Sequence, residues 1–191
     1  PSIWDTFTHK KGNVHDNQNA DVAVDFYHRY EEDILLLKSM NMKVFRFSIS
    51  WSRIFPKGIG ETNQAGIDFY HKVINFCLAH DIEPWITLYH WDLPQHLQDL
   101  GGWTNREVLN WFKEYSTFCT KEYGSKVKNW MIMNEPAAFV GLGYMLGYHA
   151  PGKKGITNFL KATHHACLCM AEGGRIVKNN VPNSNIGPTF N

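Results

Sequence analysis

An amide and a carboxylate stand side by side where a buried segment of this sequence ends. Residues 127–133 predict a buried strand, and Asn134 and Glu135 follow it directly. Pro136 has no backbone N–H, so it cannot continue the strand, and a proline biases the residue before it toward extended backbone angles. We therefore expect Glu135 to be extended, with a carboxyl group suited to proton transfer beside an amide suited to a substrate hydroxyl.

A second polar cluster, His90-Trp91-Asp92, follows the predicted strand 83–89. His90 is a candidate hydrogen-bond partner for a substrate hydroxyl, and Trp91 is a candidate support for the face of a ring. A histidine that only satisfies its own loop or core is the alternative. Asp92 is expected to brace or cap the loop. A metal site built from His90, Asp92 and His96 is a weaker alternative.

Arg46 lies in the predicted strand 43–51, where Arg46, Ser48 and Ser50 alternate with large apolar residues. Arginine remains protonated in proteins, so an inward-facing one must be paired. Arg46 therefore either forms an ion pair inside the fold or stands beside a catalytic carboxylate, which it holds ionised by its charge.

Strands and helices alternate along the chain. Residues 1–19 show no period and predict a loop, and Asp21 is a plausible N-cap for the first helix. Thr104 or Asn105 is expected to cap a later helix, and Gly124 to close it. Periodicity predicts helices over 21–40, 65–79, 105–122 and 157–179, strands over 43–51, 83–89, 127–133 and 186–190, and loops over 55–63, 90–103 and 141–155.

This alternation predicts an α/β fold with a parallel sheet. An open doubly wound sheet fits less well, because no Gly-x-Gly-x-x-Gly follows a strand and the inward set on strand 43–51 is too polar for a sheet buried on both faces. A TIM barrel whose interior becomes polar near its mouth explains the polar residues Arg46, Ser48 and Ser50. Such a barrel needs about 250 residues and eight strands. We therefore expect a single domain, residues 1–191, that forms about half of a barrel.

The composition excludes some partners. Nineteen Lys and Arg against 18 Asp and Glu give a net charge of +1, and no basic run suggests nucleic acid. No apolar run is long enough to cross a membrane. Seven Trp, eight Tyr and 12 Phe favour a large core or a cleft with flat apolar faces suited to sugar rings. Cys77, Cys119, Cys167 and Cys169 are expected to be free, buried thiols, which mildly favours a reducing compartment such as the cytoplasm.

Five segments together resemble glycoside hydrolase family 1, the β-glucosidase family. They are Val-Phe-Arg-Phe-Ser-Ile-Ser-Trp-Ser-Arg-Ile-Phe-Pro at 44–56, Tyr-His-Trp-Asp-Leu-Pro-Gln at 89–95, Gly-Gly-Trp at 101–103, Met-Asn-Glu-Pro at 133–136 and Gly-Tyr-Met-Leu-Gly-Tyr-His-Ala-Pro-Gly at 143–152. They occur in order over nearly the whole chain. The resemblance implies a (β/α)₈ barrel that hydrolyses β-glycosides with retention of configuration and needs no cofactor or metal.

The same resemblance implies a role for each candidate. Glu135 is the acid/base, Asn134 and His90 bind the sugar, Trp91 lines its site, and Arg46 supports the nucleophilic carboxylate. Glutamate at 135 favours an O-glycosidase, because thioglucoside-cleaving relatives often carry glutamine there. The expected substrate is a β-glucoside or a short β-linked oligosaccharide.

Some parts of the family pattern have no match here. The first barrel strand with its sugar-binding Gln, and the later Thr-Glu-Asn-Gly-like segment with the nucleophile, are not found, so the sequence is expected to be cut at both ends and to be inactive alone. A 6-phospho-β-glycosidase of the same family and a non-catalytic carbohydrate-binding barrel are alternatives.

Overall fold

The centre of the molecule is a four-stranded parallel sheet. The computed structural model describes residues 1–190. Neighbouring strands follow chain order, and Arg46 pairs with Trp85, which in turn pairs with Asn129. The strands are β1 Val44–Ser48, β2 Glu83–Tyr89, β3 Asn129–Asn134 and β4 Asn185–Thr189. This order, with helices between all consecutive strands, is that of successive strands in a partial barrel.

Helices precede, separate and cover the strands. The α-helices within residues 1–190 are α1 Ile3–His9, α2 Phe26–Ser39, α3 Trp51–Ile54, α4 Gln64–Ala79, α5 Gln95–Asp99, α6 Val108–Tyr123, α7 Pro136–Val140 and α8 Ile156–Asn180. Short 3₁₀ turns lie at His15–Asn17 and Gly102–Thr104, and a π-helix at Gly141–Leu146.

The two faces of the sheet differ in chemistry. On β1, the Phe45 ring lies 5.8 Å from that of Phe26 in α2, and the Phe47 ring lies parallel to that of Tyr70 in α4 at 6.5 Å. Arg46, between them, reaches the opposite face and hydrogen-bonds Thr87 of β2. The predicted alternation on β1 is therefore confirmed: the helices cover the apolar face, and the other face carries polar side chains.

An aromatic cluster anchors the ends of β1 and β2. Trp51 is fully buried, its indole N–H donates to the Gly58 carbonyl at 2.7 Å, and its ring stacks on Tyr115 with centroids 4.6 Å apart. The Tyr115 hydroxyl donates to the carbonyls of Leu88 at 2.7 Å and Ile49 at 3.0 Å. The residues that follow β1 and end β2 are thus held by one side chain of α6.

The N-terminal segment is more regular than its composition predicts. The prediction of a loop over residues 1–19 is wrong for α1. Ser2 caps this helix by accepting from the Trp4 N–H at 3.3 Å, and the Asp5 carboxylate accepts from the Ser2 N–H at 2.6 Å. This reciprocal capping box supplies the helix start that periodicity alone did not indicate.

Several predicted boundaries are also wrong. Helix α2 begins at Phe26, and Asp21, the expected N-cap, instead lies exposed with a carboxylate 3.2 Å from His9. Strand β1 ends at Ser48, and α6 begins only at Val108. Gly124 does close α6, as predicted, but with right-handed backbone angles of φ −65° and ψ −19°. Segment 141–155, predicted as a loop, contains the π-helix.

The cysteines are free, as predicted, but they do not share one environment. Cys77, Cys119 and Cys169 are buried, whereas Cys167 is exposed. Burial raises the pKa of the Cys77 thiol to about 11 and that of the Cys169 thiol to about 12. Within residues 1–190, no helix combines the length and apolar character that a membrane span requires.

Candidate active site

A hydrogen-bonded row of polar side chains crosses the open face of the sheet, with one residue from each strand. Arg46 of β1 donates through Nε to Thr87 Oγ1 of β2 at 2.9 Å and through Nη2 to Asn134 Oδ1 of β3. Thr189 of β4 donates from Oγ1 to the same Asn134 oxygen at 2.8 Å. Asn134 is buried, at 5% exposure. The row therefore fixes the amide at the end of β3 relative to all three other strands.

Glu135 leaves the sheet in a left-handed backbone conformation. Its φ and ψ are 44° and 64°, so the expectation of an extended residue is wrong. Its N–H donates to the Thr189 carbonyl at 2.8 Å, and its own carbonyl accepts from the Ala138 N–H of α7 at 3.0 Å. Pro136 disfavours right-handed angles at Glu135. Because α7 starts at Pro136, the chain must turn within this single residue, which the left-handed conformation achieves at a cost of about 1–2 kcal/mol.

Trp91 holds the same peptide unit from the other side. Its Nε1–H donates to the Asn134 carbonyl at 2.8 Å, and its own φ is 75°. The ring is partly buried, with its centroid 5.7 Å from that of His90 and 5.6 Å from that of His149. The carbonyl and the N–H of the Asn134–Glu135 peptide are therefore both fixed, the first by Trp91, which follows β2, and the second by Thr189 of β4.

His90 is exposed at the end of β2, close enough to Glu135 and Arg46 to sense both charges. Desolvation is the main cause that lowers the pKa of His90 below its usual 6.5, and the Arg46 guanidinium lowers it further. The Glu135 carboxylate opposes both by favouring the protonated imidazolium. A pKa below 6.5 leaves His90 predominantly neutral at pH 7, so its ring offers one hydrogen-bond donor and one acceptor.

Two substitutions should move the His90 titration in opposite directions. Glu135→Gln removes a negative charge that stabilises the imidazolium, so the pKa of His90 should fall further. Arg46→Met removes a positive charge, so that pKa should rise toward 6.5. A pH series of NMR spectra with ¹³C-labelled histidine measures both shifts. Movement in the same direction in both variants would contradict this electrostatic assignment.

Asp92 braces the loops below this site, as predicted. Its Oδ2 accepts from the Trp51 N–H at 3.0 Å, which ties the end of β2 to the start of α3. Burial raises the pKa of the Asp92 carboxyl, and the hydrogen bond from the Trp51 backbone N–H opposes that rise. Residues 1–190 contain no group of three or more His, Cys, Asp or Glu that could hold a metal ion, so the alternative of His90, Asp92 and His96 as ligands finds no support.

In the structure, Arg46 hydrogen-bonds the side chain of Asn134 and Trp91 hydrogen-bonds its backbone carbonyl, while His90 lies next to Trp91. It also adds three residues that the sequence analysis missed: Thr87, Thr189 and His149. Thr189 had a usable signal, because it lies near the end of the predicted strand 186–190, where its hydroxyl can reach the mouth of a barrel. His149 lies in the segment 143–152 that resembles the family, but that segment was predicted to be irregular and no role was assigned to its histidine.

The whole chain matches a known family. The sequence profile described as "Glycosyl hydrolase family 1" covers residues 1–191. This chain belongs to that family. Within it, the chain is 55% identical over 154 residues to beta-glucosidase 40 of Arabidopsis thaliana, a match that covers 80% of this chain and 30% of the relative. It is 44% identical over 190 residues to beta-glucosidase A of Thermotoga maritima, a match that covers 100% of this chain and 43% of the relative.

Family members of known structure share the fold. A β-glucosidase from Thermotoga maritima, solved in complex with deoxynojirimycin, superposes with a TM-score of 0.97 at 43% identity, over 99% of this chain and 43% of that one. The four-stranded sheet is therefore a partial TIM barrel, as the sequence analysis predicted. The chain spans 30% and 43% of the length of the two curated relatives named above.

Proposed function

We propose that this chain supplies the acid/base side of the active site of a retaining β-glucosidase. The observation that carries the proposal is the pair Asn134–Glu135 at the C-terminal edge of a parallel sheet, with its shared peptide fixed from both sides. Catalytic residues of TIM-barrel enzymes lie at this edge. The family membership and the β-glucosidase names of the relatives support the same reaction.

The proposed reaction is a double displacement. Glu135 protonates the departing glycosidic oxygen while a glutamate nucleophile attacks the anomeric carbon and forms a covalent glycosyl-enzyme. Glu135 then removes a proton from the water that hydrolyses this intermediate. Residues 1–191 contain no match to the family's nucleophile segment, so we place the nucleophile in the part of the family barrel that this chain does not cover.

The remaining candidates bind and orient the sugar. We propose that Asn134 donates to the hydroxyl next to the anomeric carbon, a contact that strengthens in the transition state. His90, neutral at pH 7, hydrogen-bonds a further hydroxyl, and Trp91 lines the sugar site while it holds the Asn134 carbonyl. Arg46 keeps the nucleophilic carboxylate ionised. The related Thermotoga maritima enzyme binds deoxynojirimycin, and we propose that this site takes ligands of the same class, without cofactor or metal.

The stereochemical outcome tests the proposal. The complete protein should hydrolyse 4-nitrophenyl β-D-glucoside, and ¹H NMR recorded at once should show β-glucose before any α-anomer. The α-anomer as first product would mean inversion and would rule out the double displacement. Absence of any hydrolysis by the complete protein would contradict the glucosidase assignment itself.

The 191-residue chain alone provides the matched comparison. We propose that it is one half-barrel domain without measurable glucosidase activity, since retention requires two carboxyl groups about 5–5.5 Å apart. The same NMR assay on the purified chain should show no product above the no-enzyme rate. Hydrolysis that disappears in the Glu135→Ala chain would show that residues 1–191 contain both carboxyl groups.

A further inference from the structure

Thr189 contacts both members of the Asn134–Glu135 pair. Its hydroxyl donates to Asn134 Oδ1 at 2.8 Å and accepts from Arg46 Nη2 at 3.4 Å. Its backbone carbonyl accepts from the Glu135 N–H at 2.8 Å. Among these contacts, only those of the hydroxyl depend on the side chain, so they can be removed by substitution while the backbone contact is kept.

The hydrogen-bond chemistry fixes which end of the Asn134 amide faces Arg46. A guanidinium can only donate, so the amide atom opposite it must be the oxygen. The Thr189 hydroxyl supplies a second donor to that same oxygen, which fills both of its lone pairs. The two N–H donors of Asn134 Nδ2 must then point away from Arg46 and Thr189.

We propose that Thr189 is a positioning residue that sets the orientation of the Asn134 amide and so directs its N–H donors at the sugar hydroxyl beside the reacting carbon. This inference rests on the proposed function, because it needs a sugar in the site. Without the Thr189 hydroxyl, Arg46 alone holds the oxygen, and the amide gains freedom to rotate about its terminal torsion, which is intrinsically soft.

If Thr189 acts through Asn134, the rate loss caused by a Thr189 substitution should depend on the 2-hydroxyl of the substrate. It should appear only with substrates that carry the 2-hydroxyl, the partner of the Asn134 amide. An effect that passes through Arg46 to the nucleophile, or through general loosening of β4, should slow all glucosides alike. The comparison of a glucoside with its 2-deoxy analogue therefore separates these routes within one variant.

The experiment uses the complete protein with Thr189→Val, which keeps the shape of the side chain and removes its hydroxyl. For 4-nitrophenyl β-D-glucoside, kcat/KM should fall about tenfold, the size expected for one hydrogen bond. For the 2-deoxy analogue, the change should stay below about twofold, which also shows that the variant is folded. Thr189→Ser, which keeps the hydroxyl, should recover most of the loss.

A double-mutant comparison completes the test. In an Asn134→Ala background, Thr189→Val should cause no further loss on the glucoside, because the amide through which it acts is gone. An equal loss on both substrates, or wild-type activity of Thr189→Val on the glucoside, would overturn the positioning role while the proposed function stands. A wild-type protein inert on both substrates would overturn the proposed function and, with it, this inference.

Discussion

Glu135→Gln should lower kcat/KM of the complete protein for an alkyl β-glucoside by about 10²–10⁴-fold, the range that general acid catalysis contributes. Glutamine has nearly the shape of glutamate but has no acidic proton to transfer. An alkoxide is a poor leaving group and depends on that proton. With 2,4-dinitrophenyl β-glucoside the first step needs little protonation, so that step should be largely spared, and the glycosyl-enzyme should accumulate because the base is also missing.

Stopped-flow kinetics with the two substrates measures this difference directly. A burst of dinitrophenolate followed by slow turnover is the expected result for Glu135→Gln. Glu61→Gln, at an exposed position outside the site, is the matched control and should behave as wild type on both substrates. Equal slowing of the first step on the two substrates would mean that Glu135 does not protonate the leaving group.

Trp51→Ala should reduce the free energy of unfolding by about 3–5 kcal/mol, the cost typical of deleting a buried large aromatic side chain. Trp51 is fully buried, stacks on Tyr115 and donates to the Gly58 carbonyl. The substitution would leave a cavity beneath the ends of β1 and β2 and one buried carbonyl without its donor. Proteins of this kind have a net stability of about 5–15 kcal/mol, so a large part of it would be lost.

Trp51→Phe separates the two parts of that loss. It keeps a ring against Tyr115 but removes the N–H that reaches Gly58, so it should cost less than half as much as Trp51→Ala. Urea unfolding of the complete protein, followed by far-ultraviolet circular dichroism, measures both. A loss below about 1 kcal/mol in Trp51→Ala would show that the cluster does not anchor the strand ends.

Strand positions were predictable where local chemistry marks both ends. The predicted strand 83–89 agrees with β2, because Pro84 marks the start of this largely apolar run and the polar His90 marks its end. Helix α8 was placed within one residue at each end, since its apolar period continues for many turns. The polar side of β1 around Arg46 was enough to indicate a barrel rather than an open sheet.

The geometry of the site was less predictable, because it depends on contacts between strands. Proline at 136 excluded the helical region for Glu135, but only the start of α7 at that proline selects a left-handed over an extended backbone. Trp91 was predicted to line the sugar site, and its bond to the Asn134 carbonyl becomes visible only when β2 and β3 lie side by side. The proposed role of Thr189 depends on its hydrogen bond to Asn134 on the neighbouring strand, a contact that forms only when β3 and β4 pair.

The left-handed backbones of Trp91 and Glu135 limit how this protein can be engineered for heat resistance. Glycine adopts a positive φ without the steric cost that other residues incur, so its substitution at such a position relieves backbone strain. At Trp91 and Glu135, however, glycine would also remove the indole and the carboxylate of the proposed site. The strain at these two positions therefore cannot be relieved in this way without loss of the groups proposed to act on the sugar. Relief of backbone strain by glycine must therefore be sought at other residues with positive φ, such as Asn41 and Asp81.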